Sequence, residues 1–165
     1  MKISIVNEKD KNLADLVLQR LCKNAEIGGI RFGPILQILL ASEHSQNFPI
    51  KGQVYLNLSS AWTLFDSRPT KLPESEEDLP RMTIEEEIQT ICSIREQVIS
   101  KVELGENAPH LILTLDDGRL IFVNGKDDRY ESWDVGVAFT GVEEAWQVIA
   151  CPSGEVAIVT PPNFN

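Results

Sequence analysis

The chain has 165 residues, 42% hydrophobic and 24% charged, with 25 Asp plus Glu against 15 Lys plus Arg and a formal net charge of -10. That length allows one domain, or two very small ones, with a core that needs no staples. The acidic balance argues against a nucleic-acid binder and against attachment to an anionic membrane, since both need clustered Lys and Arg.

The charge is uneven along the chain. Residues 1–68 carry 8 basic and 6 acidic side chains, and residues 69–165 carry 7 basic and 19 acidic. The surplus acid belongs to the later part.

In chain order, Lys2 to Val6 alternates polar and apolar residues and reads as a short strand. It is too short an apolar run for a signal peptide. Asn7 offers an N-cap, and Leu13, Leu16, Val17 and Leu21 recur at helical spacing, so Lys9 to Lys23 is predicted as an amphipathic helix ending near Asn24. Ile27 to Phe32 and Pro34 to Ala41 read as extended, Ser42 to Lys51 as a loop, and Gly52 to Leu58 as a strand. Trp62 to Phe65 is another strand, or a continuation past a bulge at Ser59-Ser60.

Ser67 to Pro80 holds three prolines and the acids Glu74, Glu76, Glu77 and Asp78, the composition of a linker. Thr83 with Glu86 forms a capping-box pattern that starts a second helix, with Ile84, Ile88, Ile91 and Ile94 as its apolar face. Strands are predicted at Val98 to Leu104, Leu111 to Leu115, Arg119 to Val123 and Tyr130 to Phe139, with a hairpin turn at Asp116-Asp117-Gly118. Trp146 to Ala150 and Glu155 to Thr160 form a last hairpin around Cys151-Pro152-Ser153-Gly154.

The expected fold is α+β, two helices on mostly antiparallel sheet. Each half has a helix, alternating strands and a strand bearing a Trp (Trp62, Trp133), the pattern of an internal repeat. The expected units are therefore 1–68 and 83–165, joined by a Pro/Glu linker at 69–82, with either separate cores or one shared core.

Candidate chemistry is sparse. His44 and His110 have no close Cys or His partner for a metal, and no phosphate or dinucleotide glycine motif occurs. The three cysteines, Cys22, Cys92 and Cys151, are odd in number and far apart, which fits reduced thiols in a cytoplasmic protein. Cys151 with His110 as its base is the one nucleophile pairing to weigh, and turn geometry explains the residues around Cys151 without catalysis. No cofactor, metal or catalytic residue is expected.

The densest polar segment is 127–134. Asp127, Asp128, Glu131 and Asp134 surround Tyr130 and Trp133 within eight residues. The plain structural reading is a solvated hairpin with Trp133 pointing into the core. The functional reading is an acidic-aromatic surface for a basic partner, with aromatics as anchors and acids for steering. Those six residues are the candidate partner-binding site.

The segments Leu113 to Leu120, Tyr130 to Trp133 and Val148 to Ile158 resemble small, uncharacterised acidic bacterial proteins of immunity-protein type. The resemblance covers about the last third of the chain and carries no catalytic residues with it. It implies neutralisation of a toxin by direct binding.

The expected function is thus a non-enzymatic, cytoplasmic binding protein for a basic protein partner, such as a toxin domain. Two alternatives stand beside it. One is a homodimeric assembly module, because Leu120 to Val123 is apolar on both faces. The other is a small carboxylate- or Cys-dependent hydrolase, which needs its groups to converge in a cleft.

Overall fold

The first helix, α1, runs Glu8–Cys22 and buries Ala14, Val17, Leu18, Leu21 and Cys22. That spacing is one continuous helical stripe. It is turned from the expected face: Leu18 is wholly buried and Leu16 is 50% exposed. Asn24 ends the helix in the left-handed region, at φ 64°, a conformation that Asn tolerates better than most residues. The computed structural model describes residues 8–42, 50–162 and 164. The expected strand at 2–6, the Asn7 cap, most of the 42–51 loop and His44 lie outside them.

After α1 come strands β1 (Glu26–Arg31), β2 (Leu36–Ala41), β3 (Gln53–Leu58) and β4 (Trp62–Phe65). The second helix, α2, spans Ile84–Ser93, and β5 (Ile99–Leu104), β6 (Leu111–Leu115) and β7 (Leu120–Val123) follow it. The chain then forms β8 (Trp133–Ala138), β9 (Gln147–Ala150) and β10 (Val156–Val159). Thr83 caps α2 as expected: its hydroxyl accepts from the Glu86 N–H at 3.2 Å, and the Glu86 carboxylate accepts from the Thr83 N–H at 3.5 Å.

The fold is α+β, with two antiparallel sheets. Six strands lie in the order β1-β2-β3-β8-β9-β10, and four in the order β4-β7-β6-β5. The chain passes from one sheet to the other at the Ser59-Ser60 bend. The sheets are also stitched where α1 ends: the Asn24 N–H donates to the Ile99 carbonyl and the Ile99 N–H to the Ala25 carbonyl, both at 2.8 Å. Helix α1 packs against β5 of one sheet and β8, β9 and β10 of the other.

The two stretches expected as units are not segregated. β3 pairs with β8, and β4 pairs with β7, so 1–68 and 83–165 contribute strands to both sheets. One buried cluster draws on both stretches, from Val17 and Leu56 to Leu113 and Trp133. The physical reason lies in the short strands: neither stretch alone has enough of them to cover its apolar faces.

The segment expected as a linker is a lid on the smaller sheet. Leu79 is buried with Ile112, Leu120 and Phe122, and Leu72 and Phe65 pack around them. Its acids form a 3-10 turn at Glu76–Asp78 that faces away. All four residues of β7 are buried, one face under the main core and the other under this segment. The apolar strand that suggested a second copy of the chain as partner is thus covered from within.

Leu79→Ala should cost about 2–5 kcal/mol, the range for a truncated core leucine. Glu76→Ala, on the open side of the same turn, should stay within about 0.5 kcal/mol. Urea unfolding measures both, and two equally small effects would show that the segment only links.

Candidate functional site

The 124–134 segment is built on Asn124, which is wholly buried. Its Nδ2 donates to the Ser60 hydroxyl at 2.8 Å and to the Lys126 carbonyl at 3.1 Å. Its Oδ1 accepts from the Lys126 N–H at 3.2 Å. A buried amide whose donors and acceptor are all engaged fixes the turn after β7. Gly125 follows because nothing larger fits: a Cβ there would sit 2.0 Å from the Pro109 carbonyl oxygen.

Asp127 then turns the chain. Its Oδ1 accepts from the N–H groups of Arg129 at 2.7 Å and Tyr130 at 2.9 Å. The Arg129 N–H bond first, then the Tyr130 one, holds this carboxyl below the usual range. Asp127 therefore shapes the apex, and Asp128, Arg129, Tyr130 and Glu131 are the residues it presents to solvent.

The other two expected site residues leave the patch. Trp133 is wholly buried, and its Nε1 donates to the Pro109 carbonyl at 2.7 Å. Asp134 points to the outer face of the large sheet, where it is 8% exposed. It accepts from Asn57 Nδ2 at 2.8 Å and Gln147 Nε2 at 3.1 Å. Tyr55 shares a hydrogen bond with it, and burial, then the Asp134 charge, pushes the Tyr55 phenol up. A period of two along β8 sends neighbouring side chains to opposite faces, so Trp133 and Asp134 never share a surface.

The apex borders an open groove of about 760 Å³. Arg129, Tyr130 and Glu131 form one side, Pro34 and Ile35 of the β1–β2 turn another, and Ile84 and Glu87 of α2 a third. Tyr130 is 70% exposed, Ile84 49% and Ile35 41%. Ile84 was expected on the buried face of α2; as the first residue of the helix it overhangs the core that Ile91 and Ile94 enter. Glu87 is fixed from behind, since Trp62 Nε1 donates to its Oε1 at 2.7 Å. The sequence did not place Ile84, Glu87, Pro34, Ile35 and Pro152 in one site, because their meeting depends on strand order. Their one local signal is an isoleucine directly before three glutamates.

The Cys151–His110 pairing is not assembled. His110 Nδ1 accepts from the Gly125 N–H at 2.9 Å, and its Nε2 lies 3.1 Å from the Glu74 carbonyl, to which it donates. The Cys151 thiol instead points to the Ile149 carbonyl at 3.7 Å, and burial pushes it up, away from thiolate character. Cys22 is wholly buried and pushed up to about 12 by desolvation. Among the described residues no group of three or more His, Cys, Asp or Glu is placed to hold a metal ion. No helix of the described residues is long and apolar enough to cross a membrane.

No family model, no curated protein and no solved structure matches this chain.

His110 supplies a pH test. Burial is the largest influence on the imidazole and holds it below its ordinary value. The folded chain thus takes up this proton at lower pH than the unfolded chain does. The resulting stability is fully present above the ordinary histidine pKa of about 6.5, and it is lost as pH falls from there to the folded value. In His110→Asn this component should vanish, so the stability advantage of the wild type over the variant should shrink on acidification. Thermal unfolding of both proteins across that range measures it, and a constant difference contradicts it.

Proposed function

We propose that this chain is a non-enzymatic protein-binding module whose partner is a basic polypeptide, taken on the groove beside the 128–131 apex. The observation that carries this reading is the exposed trio Tyr130, Ile84 and Ile35 around one groove, with Glu87 and Glu131 on its walls. Exposed aromatic and aliphatic side chains that converge on a concave surface are what a partner's anchor residue needs. The carboxylates beside them, on a chain of net charge -10, favour encounter with a cation.

In its specific form this reading makes the partner a basic toxin domain, neutralised by direct binding, as the resemblance of the last third to small, uncharacterised acidic bacterial proteins of immunity-protein type implies. Three cysteines, an odd number without a disulfide, suit the cytoplasmic setting that goes with it.

A selection of displayed random peptides on the immobilised chain tests the reading. Enriched sequences should combine Lys or Arg with an apolar residue. For such a peptide, Asp128→Lys with Glu131→Lys should lower the association rate about tenfold and flatten its salt dependence. Tyr130→Ala should raise the dissociation rate about tenfold, as loss of a small anchor does. Asp127 is left intact because its carboxylate holds the turn. Enrichment without basic residues, or kinetics indifferent to these changes, would overturn the assignment.

A further inference from the structure

A second recess of about 790 Å³ lies beside the first, between Ser60 to Trp62 and the 76–82 segment. The two share Leu58, Ser59 and Glu87 in their linings. Glu87 thus stands at the boundary, its Oε1 pinned by the Trp62 indole, which is 1% exposed. A carboxylate held from behind keeps its position without a cation and has little side-chain entropy left to lose when one arrives.

The charges follow the same layout. The first recess has Glu131 besides Glu87, and the second has Glu76 and Glu77 besides Glu87. Arg129 and Arg81 are the cations in these linings. Among the ion pairs of the described residues none involves Glu76, Glu87 or Glu131. Glu77 is already engaged by the Ser75 hydroxyl at 2.6 Å and by the charge of Lys126. Each recess therefore has one carboxylate of its own, Glu131 or Glu76, in no ion pair among the described residues, and both have Glu87.

Resting on the binding-module reading, we infer that the partner contributes an extended segment with two basic side chains, one seated on either side of Glu87. The first lies between Glu131 and Glu87, its aliphatic stem against Ile35 and Ile84, since a long basic side chain buries its methylenes on apolar surface. The second lies between Glu76 and Glu87, over the Ser60-Ala61 backbone. An extended chain suits this layout because it offers side chains at short, regular intervals. Two seats specify the partner more strictly than net charge does, because a single basic residue, however placed, leaves one recess empty.

Double-mutant cycles with synthetic peptides decide it. The peptides carry two arginines around an apolar residue, with spacers of increasing length, and each arginine is replaced in turn by norleucine. The protein carries Glu131→Gln, Glu76→Gln or Glu87→Gln; the last keeps an oxygen for Trp62 and removes only the charge. At the best spacing, one arginine should couple to Glu131 and the other to Glu76. Both should couple to Glu87, each charge removal weakening binding about tenfold, with the unfolding midpoints of Glu131→Gln and Glu76→Gln unchanged. Coupling at one recess alone overturns the two-seat inference and leaves the binding-module reading standing. Peptides that bind equally to all three variants overturn both.

Discussion

The Trp133 indole is wholly buried, and its N–H has to find an acceptor there. An unpaired buried donor costs about 1–3 kcal/mol, and the acceptor is the Pro109 carbonyl at 2.7 Å. That bond ties β8 of the large sheet to the chain entering β6 of the small one. The next residue, His110, continues the tie in two directions, through Nδ1 to Gly125 and through Nε2 to Glu74. Its ring also packs on Phe122, 5.0 Å between centroids. One short run, Pro109-His110, thus locates the second strand of the Trp pair, the turn that leads to the apex and the segment that covers β7. The absence of room for a side chain at Gly125 is a consequence of the same crowding.

This arrangement changes the meaning of the charge asymmetry. The sequence divides near residue 69 into a balanced part and an acidic part, but the strands of the two interleave in both sheets. The acids are grouped by local geometry instead. Glu85, Glu86 and Glu87 fill the first turn of α2, where the helix dipole favours negative charge. Glu76 to Asp78 face outward because Leu79 must face inward, and Asp127 is held by two backbone N–H groups. Each group has a structural reason to be acidic. At Ile35, Ile84 and Tyr130 apolar side chains are left exposed beside the acids Glu87 and Glu131.

Local pattern carried much of the fold. Alternating or apolar runs bounded by turn residues located the described strands from β1 to β10, and the Thr83–Glu86 pair marked the start of α2, because these signals are written in adjacent residues. What failed was orientation and order. Leu16 and Leu18 are two steps apart, some 200° around a helix, so one misjudged position turns the buried face. The 67–80 segment has the composition of a linker, and two leucines among prolines and acids gave no sign of the sheet they cover. The pairing of β3 with β8 joins residues more than seventy apart in sequence, and short alternating strands pair equally well with many neighbours. The candidate site suffered most, since half of the 127–134 cluster is scaffold.

Glu87 shows why the site was the least legible part. From the sequence it is the last of three glutamates in a helix's first turn, and its capping neighbour Glu86 has the recognisable role. In the fold its carboxylate meets Trp62, a residue of β4, and stands between two recesses lined by residues from stretches far apart in the chain. The indole could have been satisfied by a backbone carbonyl, as Trp133 is, at no charge. A carboxylate in that position accepts the indole bond and adds a negative charge to a surface where the neighbouring side chains are partly apolar. A bond that secures α2 to the small sheet therefore also fixes a negative charge at the point where the two recesses meet, so the same contact serves the fold and defines the surface.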